Sequence, residues 1–184
     1  MIRDSCIPGS TYKIRLGGII YDSRDELGVT KAELAESLQV SISTIDQWEI
    51  GGANPLLSKL KLLIKELELD PEDTLFSVCP PSAARCVLAA LGVYTIPEDL
   101  LRRSQWSKEE WVGFAEEAKK AREAVKVSRR LVSVATNMSM GTLTAIERGL
   151  FKAGPSRAYK LAWIFGLEGV LAEDDVPTLV HTTA

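Results

Sequence analysis

The chain has 184 residues, of which 46% are hydrophobic and 26% are charged, and its net charge is -3. This composition allows one ordinary domain or two small ones with a buried core, and it excludes a disordered acidic tail and a fibrous repeat. The longest apolar runs are far shorter than the roughly 20 residues that a membrane span needs, and the N-terminus carries no apolar core of signal-peptide length. We therefore expect a cytoplasmic protein with no membrane partner.

The charge is unevenly distributed along the chain. Residues 1–70 contain eight basic and eleven acidic side chains, whereas residues 118–160 contain ten basic and only two acidic ones. A charge run is more often a solvated surface than a binding surface, so this local positive field favours nucleic acid only weakly.

Hydrophobic residues recur with the 3.6-residue period of helices throughout the chain, and no stretch alternates long enough to indicate a sheet. The predicted fold class is all-α. Thr30 and Glu33 can form a capping box, and Ser41 can cap the helix that follows. Further helix starts are predicted at Asn54 with Pro55, at Asp70 with Pro71, and at Ser107.

An internal repeat relates the two halves of the chain. A shift of 98 residues places matching residues over one another: Arg24 on Arg122, Thr30 on Ser128, Ser41 on Ser139, Glu49 on Glu147 and Gly51 on Gly149. After the glycine the shift becomes 100, so that Pro55 meets Pro155. The predicted domains are 1–76 and 105–175, with a linker at 77–104 that can hold two short helices and a tail at 176–184.

The run VTKAELAESLQVSISTIDQWEIGGANP resembles the helix-turn-helix of the phage repressor and Cro family, also called the xenobiotic-response-element family. The resemblance is strong over residues 12–76 and weaker over 107–172. It implies two tandem five-helix, lambda-repressor-like domains joined by a short helical linker, with the third helix of a domain in the DNA major groove. Arg24 with Glu49 matches a family ion pair, and Arg122 with Glu147 repeats it. Gln39 departs from the glycine usual at the turn.

The resemblance also implies which residues face DNA. Gln47 lies where related repressors read a base, and its amide can bond bidentately to adenine. The candidate base contacts are Ile42, Ser43, Asp46 and Gln47 in the first copy, and Met140, Gly141, Thr144 and Ala145 in the second. The candidate phosphate contacts are Lys31, Ser41, Gly52, Asn54, Arg129, Arg130, Ser139, Arg148 and Lys152.

These residues predict a sequence-specific transcription regulator of the bacterial, phage or mobile-element type, either repressor or activator, that binds double-stranded DNA in the nucleoid. The first copy would supply base preference and the second phosphate contacts. Two alternatives remain open: a protein-interaction module that holds RNA polymerase or a toxin through the second domain, and RNA binding. We find no enzyme motif, and the three cysteines and single His181 match no metal-site spacing, so we expect neither catalysis nor a metal or other cofactor.

Family members usually dimerise and read half-sites about 34 Å apart, so we expect a homodimer. The apolar side chains of the linker are the candidate interface: Val87, Leu88, Leu91 and Val93. Core packing between the domains is the alternative role for the same side chains.

Overall fold

A computed structural model describes residues 10–94, 108–150 and 155–167. The described residues form ten α-helices and no strand, which confirms the all-α prediction. The helices are α1 (Ser10–Glu26), α2 (Lys31–Ser37), α3 (Ile42–Glu49), α4 (Leu57–Glu66), α5 (Pro71–Val78), α6 (Pro81–Leu91), α7 (Lys108–Ala124), α8 (Arg129–Thr136), α9 (Met140–Glu147) and α10 (Pro155–Phe165). We call α1–α5 the N-terminal unit and α7–α10 the C-terminal unit.

Local side-chain caps explain where the short helices start. Thr30 and Glu33 form the predicted capping box at α2, and the hydroxyl of Ser41 accepts from the backbone N–H of Thr44 at the start of α3. Asp70 caps α5 in the same manner. The predicted cap at Asn54 is wrong, because α4 begins only at Leu57 and has no side-chain cap.

Helix α1 crosses the C-terminal end of α3 at very close range. A Cβ atom added to Gly17 would lie 2.4 Å from the carbonyl oxygen of Glu49 and 2.5 Å from that of Trp48. Only glycine allows two helix backbones to approach so closely. The residue aligned with Gly17 in the C-terminal unit is Ala115, which is buried and carries a Cβ atom.

The substitution Gly17→Ala is therefore expected to destabilise the N-terminal unit by about 1–3 kcal/mol, because the added atom meets backbone that cannot rotate away. Gly18 is the matched control, since an added Cβ there meets nothing within 4 Å. Gly18→Ala should instead raise the free energy of unfolding by about 0.5–1 kcal/mol through helix propensity. Urea unfolding of both variants measures the difference, and equal stabilities would contradict the close crossing.

Helix α6 joins the two units into one hydrophobic core. It packs against α4 and α5 of the N-terminal unit and against α8 and α10 of the C-terminal unit. Its buried side chains are Ala83, Ala84, Cys86, Val87, Leu88 and Leu91. Burial raises the pKa of the Cys86 thiol to about 12, so this cysteine is a packed, neutral side chain.

The burial of α6 corrects the expected use of the linker as a dimer interface. Val87 and Leu88 are fully buried and Leu91 nearly so, within a single chain, which corresponds to core packing between the units. Of the four side chains in that set, only Val93 is exposed, at 41%. A surface already buried inside the chain cannot be offered to a second one.

Polar and aromatic contacts hold α10 against α6. The guanidinium of Arg85 donates to the carbonyl oxygen of Trp163 at 3.0 Å, and it also lies over the Trp163 ring. Tyr94 meets the same ring edge to face, with centroids 5.3 Å apart.

One of the two short helices predicted for the linker is α6. The remainder of that segment, from residue 95, lies outside the described residues. None of the described helices has the length and apolar character needed to cross a membrane.

Candidate nucleic-acid interface

Helices α2 and α3 are joined by a tight turn that fixes their mutual orientation. Leu38 at the turn is completely buried, and Gln39 takes a left-handed backbone conformation with φ of 52°. The C-terminal unit has the same arrangement between α8 and α9, where Asn137 has φ of 53°. Asparagine tolerates this conformation better than glutamine, so the turn costs more backbone strain at Gln39 than at Asn137.

The outward face of α3 presents the first set of predicted base contacts. Ile42 is 50% exposed, Ser43 and Gln47 are exposed, and Asp46 is half-buried. The opposite side of the helix is anchored in the core by Ile45 and Trp48. Among these outward side chains, Gln47 lies against Gly52, because a Cβ added to that glycine would meet its amide oxygen at 2.3 Å. The glycine thus leaves room for the Gln47 side chain.

A network of four charged side chains ties α1, α2 and α3 together. Glu49 accepts from Nε of Arg24 at 2.6 Å and lies 3.2 Å from Nζ of Lys31. The Lys31 ammonium also donates to Asp46 at 2.5 Å, and these hydrogen bonds to Asp46 and Glu49 raise the pKa of Lys31. Arg24 donates further to the carbonyl oxygen of Val29. Lys31, predicted as a phosphate contact, therefore already bridges two carboxylates.

The C-terminal unit contains a similar network around Glu147. This carboxylate accepts from Nε of Arg122 at 2.6 Å and from Nε of Arg129 at 2.6 Å, while Arg122 also donates to the carbonyl oxygen of Val127. Burial by itself would raise the pKa of Glu147, but the hydrogen bonds from Arg122 and Arg129 outweigh it, so the pKa lies below its ordinary value. The structure thus brings together the residues of both predicted ion pairs.

The outward face of α9 offers few hydrogen-bonding groups. Met140 is 44% exposed and Gly141 is exposed, while Thr144 and Ala145 are half-buried. The hydroxyl of Thr144 donates to the carbonyl oxygen of Met140 on its own helix. Ser139 caps α9 through its hydroxyl, as Ser41 does at α3. This face is therefore largely apolar.

The two helix pairs differ strongly in charge. Residues 30–52 contain one basic side chain, Lys31, against four acidic ones, whereas residues 128–150 contain Arg129, Arg130 and Arg148 against Glu147 alone. Arg130 and Arg148 are exposed, and Arg129 is half-buried beside Glu147. Lys152, another predicted phosphate contact, lies outside the described residues. The positive surface is on the C-terminal unit.

Residues 20–73 match the helix-turn-helix family model, of the Cro and repressor type. Residues 20–73 are a helix-turn-helix domain of a DNA-binding family. This family is one of transcription regulators and not of enzymes. No curated protein and no solved structure matches the chain significantly. The match covers α2–α4, the last seven residues of α1 and the first three of α5, so it lies within the N-terminal unit.

The remaining predicted contacts of this helix-turn-helix domain lie at the ends of its helices. Gly52 is exposed in the turn after α3, and Asn54 is half-buried in the same loop. Sequence reasoning missed that Lys59 closes the end of α2, where its ammonium donates to the carbonyl oxygen of Leu38 at 2.6 Å. It also missed the pairing of Lys31 with Asp46, for which opposite charges on two adjacent helices were the available signal. In the described parts of the chain, no cluster of three His, Cys, Asp or Glu side chains could hold a metal ion.

Proposed function

We propose that this regulator places α3 in the major groove and reads bases through Ile42, Ser43, Asp46 and Gln47. The observation that carries the proposal is the exposed outward face of α3 within a helix-turn-helix domain whose charged network braces α1, α2 and α3. A rigid support matters because base readout requires side chains held in register with the base edges. Asp46 can accept from the amino group of cytosine, since Lys31 compensates part of its charge.

The phosphate contacts belong mainly to the C-terminal unit in this proposal. Its support is the excess of arginine over acidic residues around α8 and α9, with Arg130 and Arg148 exposed. Lys31 and Arg129 retain a role at the backbone of DNA, because each has more N–H donors than its carboxylate partners use. The proposed phosphate contacts also include residues next to helix ends, namely Ser41, Gly52, Asn54 and Ser139. Lys152, which follows α9 in the sequence, is the last of them.

In this proposal the C-terminal unit is a diverged second copy of the domain. The first copy spans residues 1–76 and the second spans 105–175, with a linker at 77–104 and a tail at 176–184. Three features support the second copy: eight-residue helices α8 and α9 with serine caps, a left-handed Asn137 between them, and a buried glutamate bonded to two cations. The first copy has similar features at a shift of 98 residues, with α2 one residue shorter and capped by Thr30 in place of a serine.

A protein contact of the C-terminal unit is the second candidate function. The apolar side chains exposed around α9 favour it, namely Val134, Met140 and Leu150. The partner in that case is a subunit of RNA polymerase or a toxin. A homodimer of the whole chain, reading two half-sites about 34 Å apart, remains part of the main proposal, with its interface outside the buried face of α6.

The substitution Gln47→Ala tests the reading role of α3. It is expected to weaken binding to a site selected from random duplexes by about 1–3 kcal/mol and to relax base preference at one position of each half-site. Binding to random DNA should be almost unchanged, because phosphates supply that affinity. Gel shifts on both duplexes measure the two quantities. Equal losses on the selected and the random duplex would assign Gln47 to the DNA backbone.

A further inference from the structure

An apolar groove of about 420 Å³ lies where the end of α4 and the start of α5 meet the end of α6. Its lining includes Lys61, Ile64, Lys65, Glu68, Leu91 and Val93. It lies between the N-terminal unit and the end of α6, apart from the outward face of α3. Its volume is within the range of small-molecule sites, which often form where separate units of a fold meet.

The groove exists because α4 presents lysines where α10 presents buried apolar side chains. At the shift of 100 residues, Lys61 and Lys65 align with Leu161 and Phe165, both of which are buried in the core. Helix α6 packs against both α4 and α10. Lys61 and Lys65 are exposed, so at these two positions α4 does not bury a side chain against α6 as α10 does. The ammonium of Lys61 donates to the carbonyl oxygen of Leu91 at the end of α6, at 3.3 Å.

The groove combines an apolar floor with two lysine side chains at its rim, and these features indicate which kind of ligand fits it. Ile64 and Leu91 are buried at its apolar floor, and Val93 contributes an exposed apolar wall. Lys61 and Lys65 lie one helical turn apart at the rim, and their two positive charges exceed the single negative charge of Glu68. A ligand that matches this pattern has an apolar chain and one anionic head.

We infer that the groove binds an amphiphilic monocarboxylate, with the acyl chain along Ile64, Leu91 and Val93 and the carboxylate between Lys61 and Lys65. The two ammonium groups supply charge-assisted hydrogen bonds to the carboxylate. Burial of the chain makes affinity rise with chain length, by about fourfold for each buried methylene group. The inference is independent of DNA binding, since it concerns a different surface of the N-terminal unit.

Calorimetric titration of the full chain with sodium decanoate tests the inference. We expect saturable binding at one site, about sixteenfold tighter than octanoate, which is two methylene groups shorter. Decanol, which has the same chain without the charge, should bind about tenfold more weakly than decanoate. The double variant Lys61→Gln/Lys65→Gln should reduce decanoate affinity by about tenfold and leave decanol affinity unchanged. The matched control Lys119→Gln/Lys120→Gln removes two lysines from α7 and should bind decanoate normally.

A second variant keeps the test decisive if loss of the Lys61 contact with Leu91 loosens the fold. Val93→Trp retains both lysines at the rim and fills the groove from its exposed wall, so it should abolish decanoate binding while thermal unfolding stays cooperative. Unaltered decanoate binding in the Lys61/Lys65 and Val93 variants would overturn the inference, as would the absence of saturable binding up to about 1 mM decanoate. Light scattering that shows a dimer weakened by the same variants would also overturn it, because a second chain would then cover the groove.

Discussion

Replacing Glu147 by alanine is expected to lower the free energy of unfolding by about 3–5 kcal/mol. The side chain of Glu147 is only 3% exposed, and that of its partner Arg122 is 8% exposed. Loss of the carboxylate leaves a buried guanidinium without its main counter-charge, and Arg129 loses its contact as well. Urea unfolding followed by circular dichroism measures the loss. DNA binding should fail in parallel, because α9 is then no longer tied to α7 and α8.

Two comparisons separate this effect from a general loss of charge. Glu116→Ala removes an exposed carboxylate from α7 and should change stability by no more than about 0.5 kcal/mol. The difference between the parent and Glu147→Ala should also shrink as the pH falls below 4.5, the ordinary pKa of this carboxyl group. The sign follows from the lowered pKa, because the stabilisation is present above the unfolded pKa and is lost as Glu147 takes up a proton. Unfolding curves that coincide at neutral pH would contradict the buried pair.

Replacing Arg130 and Arg148 together by alanine should flatten the salt dependence of DNA binding by nearly two units. Each phosphate contact contributes about 0.9 to the slope of log affinity against log salt concentration on duplex DNA. The loss of affinity caused by removing two contacts is therefore about sixty-fold greater at 0.1 M salt than at 1 M salt. Base preference should be retained, because the face of α3 is unchanged. Fluorescence anisotropy across a salt series measures the slope.

A variant with the same change in net charge is the control for this result. Lys119→Ala/Lys120→Ala removes two positive charges from α7, outside α8 and α9, and should leave the slope almost unchanged. If the Arg130/Arg148 variant keeps the parental slope, the C-terminal unit does not contact phosphates. Its apolar surface around Met140 would then be assigned to a protein partner, which the same variant should bind less well.

Local sequence signals determined the helices and the architecture of the DNA-binding unit. Thr30 and Ser41 begin α2 and α3 as their capping chemistry predicts, and Asp70 begins α5. The left-handed turn at Gln39 could be expected from its position between two helices, although glycine is usual there. The start of α4 shows the limit of such signals. Asn54 and Pro55 have suitable residue types for a helix start, yet the buried Pro55 stays in the loop and α4 begins two residues later.

Only the tertiary structure decided what the linker and the charged side chains do. The apolar pattern of α6 is the same whether it is covered by a second chain or by α8 and α10, because periodicity reports that a face is buried and not what buries it. The sequence also did not determine the partners of Lys31. An ammonium group can bind a phosphate or a carboxylate, and the choice depends on which groups the fold brings within reach. Asp46 and Glu49 lie within that reach because the turn holds α3 against α2. Long-range contacts of this kind depend on helix packing, which no local pattern encodes.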